Sequence, residues 1–303
     1  MKNHGILECA FAFSTLLFLA SCAVSNSGSN TFEKDKFDGV LQIQRQFGNF
    51  INANAISIDA FGNVYVVDEG APGVYKFNTK GDSIRGVIAL GKEHNQFDEP
   101  KDIDASLTNF IAIADRNNHR IEIYSKDLIW QTTISGHNVG SKIQFGYPLA
   151  VRTSSAGNYY IIDGENKRAL SIQPENGSQQ VISLSGTTTG VELNPVSLAL
   201  AGNEFVTITD ANSRSFIIFN NAYLPQSRIR YSEINSVKLS SSENLIYAFE
   251  KNSNIIRVFD ANDLSYKVSY VLPENLNHAI AIFVYKGDYY ILTKEKVIVC
   301  SKG

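Results

Sequence analysis

Short apolar runs separated by polar turns recur along most of the chain. Six of these runs are almost continuously apolar and four or five residues long: VYVV (64–67), FIAIA (110–114), YYII (159–162), FVTI (205–208), LIYAF (245–249) and YYIL (289–292). Runs of this length, rich in β-branched and aromatic residues, are typical of strands buried on both faces. The pattern predicts a protein built from β-sheets with almost no helix.

Each apolar run has the same neighbours. A shorter run precedes it, as in AISID (55–59), and a tight hairpin turn joins the two. A polar turn and a third run follow, as in VYKF (74–77), and a weaker fourth run ends the unit, as in SIRGVIAL (83–90). The hairpin residues lie 41 to 49 positions apart and are Asn63, Asn109, Asn158, Asn203, Asn244 and Asp288.

A repeat of about 45 residues has the length of one propeller blade. Six such units predict an all-β fold, a six-bladed β-propeller of four-stranded antiparallel blades over residues 37–303. The last unit offers three strands. We therefore expect GVLQIQR (39–45) to pair as the outermost strand of the last blade, so that an N-terminal strand closes the ring and covers a sheet edge.

Two segments carry a family resemblance. FDEPKDID (97–104) and IADRNNHRIEIY (113–124) resemble the NHL repeat, which combines a phenylalanine, a proline, an aspartate, an asparagine, an arginine and a closing aromatic residue. The resemblance extends over roughly residues 47–303 and weakens in the last two blades, where Glu250 replaces the aspartate and Thr293 takes its place in the sixth. It implies a six-bladed NHL-like propeller.

Charged residues recur at the turn between the second and third strands. The recurring pairs are Asp115 with Arg120, Asp163 with Arg168, and Asp210 with Arg214. Catalytic residues do not usually repeat from blade to blade, so we interpret these pairs as structural supports of the turn. A calcium site is the alternative, but Asp163 and Glu165 lack the further acids and the glycine of a known calcium loop.

The N-terminus reads as a targeting segment. Lys2 and the apolar stretch AFAFSTLLFLA (10–20) predict a signal peptide over residues 1–21. The stretch ends in Leu19-Ala20-Ser21-Cys22, which resembles the lipobox of bacterial lipoproteins. An ordinary secretory signal with a chance cysteine is the alternative.

The lipobox resemblance implies a cellular location. Cys22 would carry the lipid and residues 22–36, rich in serine, asparagine and glycine, would form a flexible tether. That lipid would anchor the protein in a membrane of the bacterial cell envelope. Ala23 follows the cysteine, which by resemblance favours the outer membrane. Cys300 is then the one cysteine left in the propeller, so no internal disulfide is expected.

Charge excludes one class of partner. The net charge is −3, the pI is near 6.0, and no block of lysine or arginine occurs, so no nucleic-acid partner is expected.

Hydrogen-bond donors are concentrated in the loops on one propeller face. The predicted binding residues, placed around the channel entrance, are His94, Arg116, His119, His137, Lys142 and Lys167.

These features predict an envelope-anchored lipoprotein that acts as a non-catalytic binding or scaffold module through one propeller face. The partner would be a protein, peptide or glycan, and no cofactor or metal is expected. The alternative is an enzyme, a metal-dependent hydrolase or lyase of the six-bladed propeller type with its site at the channel mouth. No catalytic residue is assigned, because no zinc-binding histidine spacing and no nucleophile elbow occurs. A structural subunit of an envelope complex is a third possibility.

Overall fold

The computed structural model describes residues 37–107, 109–137, 142–182, 194–201, 205–230, 237–250, 254–276 and 278–303. Their strands form six sheets arranged as blades around a central channel, so the all-β, six-bladed propeller is confirmed. The predicted signal peptide and tether lie outside the described residues. Within those residues no helix is long and apolar enough to cross a membrane.

The chain enters through two strands and then builds the blades in order. The N-terminal strands are β1 (Phe37–Val40) and β2 (Gln42–Phe47). Blade one has β3 (Ala53–Ile58), β4 (Val64–Asp68), β5 (Gly73–Phe77) and β6 (Ser83–Ile88). Blade two has β7 (Pro100–Asp104), β8 (Phe110–Asp115), β9 (Arg120–Ser125) and β10 (Trp130–Ser135). Blade three has β11 (Pro148–Thr153), β12 (Tyr159–Asp163), β13 (Arg168–Gln173) and β14 (Ser178–Ile182).

The remaining blades repeat the plan. Blade four has β15 (Pro195–Ala201), β16 (Phe205–Asp210), β17 (Ser215–Phe219) and β18 (Pro225–Arg230). Blade five has β19 (Val237–Ser242), β20 (Leu245–Glu250), β21 (Ile255–Asp260) and β22 (Tyr266–Val271). A short 3-10 helix (Glu274–Leu276) leads to blade six, with β23 (Ala281–Tyr285), β24 (Asp288–Leu292) and β25 (Val297–Ser301).

The N-terminal segment closes the ring, but it serves two blades and not one. β2 pairs antiparallel with β25 as the fourth strand of blade six, as predicted. β1, whose residues Gly39 and Val40 belong to the segment expected in blade six, instead pairs parallel with β22 at the outer edge of blade five. Leu41 lies between them, 2% exposed, in the apolar core shared by blades five and six, and its N–H donates to the Val271 carbonyl at 3.0 Å. Because Leu41 is buried between the two blades, the chain passes there from the outer edge of blade five to the outer edge of blade six.

Neighbouring blades share the hydrophobic core. Six apolar clusters occur among the described residues, one between each pair of adjacent blades. Phe216 of blade four and Phe259 of blade five show the packing, edge to face with ring centroids 4.9 Å apart. Because each middle strand packs against a blade on either side, both of its faces are apolar.

The two sides of the disc differ. Strands alternate in direction, so the turns between second and third strands and the links between blades emerge together on what we call the link face. The hairpins between first and second strands lie on the opposite, hairpin face. There the positive φ falls on Gly62 (87°) and Gly157 (81°), directly before the asparagines that mark the repeat.

Candidate functional site

The channel opens on the link face in a cavity of about 400 Å³, which we call the mouth. First strands begin on this side, so all six blades contribute residues at the start of that strand or directly before it. The lining residues described are Asn52, Ala53, Asn54, Lys101, Leu149, Val196, Lys238, Ile280 and Lys294. Three of these residues are lysines, and the carboxylates paired with Lys101 come from outside the described lining.

Lys101 is held in the mouth by two glutamates, one from the turn of blade one and one from the link before blade two. Its Nζ lies 2.8 Å from Glu69 Oε2 and 2.7 Å from Glu99 Oε1. Glu99 also pairs with Arg116. Burial raises the pKa of both glutamates, but hydrogen bonds from Lys101 and the charges of Lys101 and Arg116 outweigh burial, so each pKa lies below its usual value. Both carboxylates are therefore ionised at neutral pH and fix the position of Lys101.

Below the mouth, a buried ion pair lies in the channel. Arg152 Nη1 is 2.6 Å from Asp102 Oδ2, which also accepts the Val151 N–H at 2.9 Å. Burial alone would lower the pKa of Arg152. The negative charges of Asp102 and Asp104 raise this pKa by more than burial lowers it, so the guanidinium stays protonated. One arginine of blade three thus faces two aspartates of blade two inside the channel, below the lysines of the mouth.

Four buried acids, which we call the turn aspartates, organise the link face: Asp68, Asp115, Asp163 and Asp210. Each accepts backbone N–H groups from the link that precedes its own blade, at 2.6 to 3.1 Å. These donors are Ile51 and Asn52 to Asp68, Asp98 to Asp115, Gly146 to Asp163 and Asn194 to Asp210. Each also accepts a hydrogen bond from its own turn. One carboxylate thereby joins link and turn.

In blades two and three an arginine adds to this arrangement. Arg120 Nε lies 2.8 Å from Asp115 Oδ2, and Arg168 Nε lies 2.9 Å from Asp163 Oδ2. Each arginine also donates to link carbonyls, as Arg168 does to Gln144 at 2.9 Å. The charged pairs predicted at these two turns therefore reach beyond the turn to the preceding link.

The third predicted pair has a different register. The strand partner of Asp210 is Ser215, at the position that arginine occupies in blades two and three. Arg214 takes the position before it, with φ of 47°, matching His119 (51°) and Lys167 (49°). The four-residue spacing in blade four is therefore one residue short of the pair geometry seen in the two preceding blades.

The six predicted binding residues lie on the link face but outside the mouth lining. His94 stacks on Trp130 with centroids 3.9 Å apart, towards the outer strand of blade two. Lys142 is exposed in the link between blades two and three, and Lys167 ends the turn of blade three. Arg116 reaches the mouth indirectly, through Glu99.

The structure brings His119 and His137 together with Glu165. Their ligand atoms all lie within 4.8 Å of one another. The imidazole rings stack at 4.0 Å, and His137 Nε2 is 3.3 Å from Glu165 Oε2. Burial and the neighbouring His137 lower the pKa of His119, an effect that Glu165 opposes. The His119 ring is therefore favoured in its neutral form at neutral pH.

Sequence reasoning named His119 and His137 as binding residues but missed the mouth lysines and the third member of this cluster, Glu165. No sequence motif marks the three mouth lysines, Lys101, Lys238 and Lys294. One positional signal could have identified two of them, because Lys101 and Lys238 each directly follow the first residue of a first strand. Glu165 was considered only with Asp163, two residues away, whereas its histidine neighbour His137 is 28 positions earlier. Only the closure of one blade on the next brings such residues together.

Fold and geometry define a six-bladed β-propeller with a lysine-lined mouth on its link face. No family model and no curated protein sequence matches the chain. Solved structures do. A streptogramin B lyase is 17% identical with a TM-score of 0.59, over 83% of this chain and 79% of that one.

Two further structures show the range of proteins with this fold. The virginiamycin B lyase from Staphylococcus aureus is 11% identical with a TM-score of 0.60, over 86% of this chain and 99% of that one. The WD40 repeats of RRP9 are 10% identical with a TM-score of 0.57, over 81% and 79%. At such identities the likeness shows the fold alone, and the fold serves both lyases and WD40 proteins.

Proposed function

We propose that this protein is a non-catalytic binding module that holds a carboxylate-bearing partner in its mouth. The carrying observation is that Lys101, Lys238 and Lys294 line one mouth, in which Lys101 is already ion-paired with Glu69 and Glu99 from outside the described lining. Ammonium groups form strong charge-assisted hydrogen bonds with carboxylates. A rigid cavity of about 400 Å³ is large enough for one acidic side chain or a chain terminus.

The setting of this module is part of the proposal. The lipobox-like Leu19-Ala20-Ser21-Cys22 supports a lipid on Cys22 and attachment to the bacterial envelope, favouring the outer membrane. The NHL-like segments support descent from propellers of that kind. A lipid-anchored disc would present its link face to peptides or glycans of the envelope, many of which carry carboxylates.

An enzyme with its metal at the mouth has less support. The lining residues that the structure describes include no histidine, cysteine or carboxylate, which are the usual zinc ligands. The lyases among the similar structures are distant in sequence, so their activity gives no residue-level argument for this chain.

Fluorescence anisotropy tests the carboxylate site with two probes, a labelled oligoglutamate peptide and a labelled oligouronate. The test variant is Lys238→Gln with Lys294→Gln, and the matched control is Lys80→Gln in an exposed turn of the hairpin face. Each charge-assisted hydrogen bond lost costs about 1.5 kcal/mol, so losing two should lower the affinity about 100-fold. Tighter binding of oligoglutamate to wild type would indicate a peptide partner, and tighter binding of oligouronate would indicate a glycan. Equal affinity of wild type and the double variant would contradict the proposal.

Fractionation tests the anchor separately. Cys22→Ser should move the protein from the membrane fraction to the soluble fraction, because the thiol is the acceptor of the lipid. Continued membrane association of that variant would refute lipid anchoring and leave the carboxylate site untouched.

A further inference from the structure

We propose that His119, His137 and Glu165 form a site for Zn²⁺ on the link face, between blades two and three. Two imidazoles and one carboxylate are the protein ligands of one common class of zinc site, and they leave a fourth position open. None of the three lines the mouth, so this site is separate from the carboxylate site.

The spacing fits the ion. In a tetrahedral site with bonds near 2.0 Å, two ligand atoms lie about 3.3 Å apart. His137 Nε2 and Glu165 Oε2 are already 3.3 Å apart, and all three ligand atoms lie within 4.8 Å. His137 and Glu165 have side chains that are 49% and 43% exposed. Because these side chains are partly exposed, we expect rotation about their side-chain bonds to contract the longest separation by about 1.5 Å.

The backbone around the three ligands is well fixed. The His119 carbonyl accepts the Gly136 N–H at 2.9 Å, which holds the residue before His137 against the turn of blade two. Glu165 N–H donates to the Gly146 carbonyl at 3.1 Å, and Asp163 accepts the Gly146 N–H at 3.1 Å. The turn aspartate of blade three therefore positions the element that supplies the carboxylate ligand.

One hydrogen bond must change when the metal binds. His119 Nδ1 accepts the Tyr147 backbone N–H at 3.2 Å, and a neutral imidazole has only one ring lone pair. The ring has to give up this bond to ligate zinc. At 3.2 Å the bond is at the long end of the normal range, so little opposes the exchange. The Tyr147 amide therefore reports on metal binding directly.

Calorimetric titration of the purified, tag-free protein with ZnCl₂ tests the site. Wild type should bind one equivalent, and Co²⁺ in its place should give the visible absorption of a tetrahedral ion. His137→Ala and Glu165→Gln should each weaken binding by about 100-fold or more, since even partners outside the ligand set change affinity 10- to 100-fold. His278→Ala, which removes an exposed histidine elsewhere, should bind as wild type does.

Two readouts separate ligation from a general effect on the fold. Without metal, His137→Ala should melt as wild type does, because the side chain is half exposed. In ¹⁵N spectra of wild type, zinc should shift the Tyr147 amide. The Lys238→Gln, Lys294→Gln double variant should keep its zinc, so failure of the mouth proposal would not affect this one. No binding by wild type, or equal binding by His137→Ala and Glu165→Gln, would overturn the zinc site.

Discussion

Replacing Asp163 should destabilise the propeller more than any nearby surface change. This fully buried carboxylate accepts four hydrogen bonds: from Gly146 N at 3.1 Å, Asn166 N at 3.2 Å, Asn166 Nδ2 at 2.9 Å and Arg168 Nε at 2.9 Å. Asp163→Ala leaves these donors without an acceptor. Breaking a buried ion pair by removing one partner costs about 3–5 kcal/mol. The Arg168 side chain is 29% exposed and regains water, so we expect about 3 kcal/mol.

Two conservative variants resolve the contributions. Asp163→Asn keeps one oxygen for the backbone amides but turns an NH₂ group towards other donors, so about 2 kcal/mol should be lost. Arg168→Met keeps the bonds from Gly146 and Asn166 but removes the partly exposed cation and its hydrogen bonds to Asp163 and the Gln144 carbonyl, at a cost of about 1 kcal/mol.

Urea unfolding followed by circular dichroism measures these costs. Glu175→Gln, in an exposed turn of the same blade, is the matched control and should change stability by less than about 0.5 kcal/mol. The expected order of loss is Asp163→Ala, Asp163→Asn, Arg168→Met and then the control. If Asp163→Ala costs no more than Glu175→Gln, the turn aspartates do not join link and turn as described.

Three further predictions concern closure, core and charge. Deleting residues 37–46 removes β1 and most of β2, exposes the edge of β25, and should lower both the melting temperature and the cooperativity of unfolding; an unchanged melting curve would contradict the closure. Phe259→Ala, at a fully buried contact with Phe216, should cost about 3–5 kcal/mol in urea unfolding, whereas a loss no greater than that of the exposed Phe61→Ala would contradict the shared core. Burial lowers the pKa of Lys126 to about 8. From pH 8 towards 9.5 the unfolded chain binds more protons than the folded one, so wild type should gain stability relative to Lys126→Met; parallel stability curves would refute the shift.

The blades could be predicted because their signal is local. VYVV (64–67) and FIAIA (110–114) are apolar at every position since a blade packs on each side, and any sequence window shows this. The fourth strands were weaker because they form the outer edge. In β6 five of six residues are exposed, so the apolar alternation there is poor.

The departures come from groups that leave no trace in sequence. The donors that hold Asp163 include the backbone amide of Gly146, and a backbone N–H is present at every residue except proline, so no pattern marks it. The parallel pairing of β1 depends on where Leu41 is buried between two blades, a tertiary effect. In blade four the strand partner of Asp210 is Ser215, whereas an arginine holds that position in blades two and three, and the recurrence of charged pairs in the sequence does not show this difference in register.

Lysine footprinting tests the central claim, that the mouth on the link face binds carboxylates. Exposed amines are acetylated briefly with and without saturating oligoglutamate and quantified by mass spectrometry. The account predicts that the ligand protects Lys238 and Lys294, while Lys80 and Lys286 on the hairpin face react as before. Equal protection on both faces, or protection confined to Lys80 and Lys286, would contradict it.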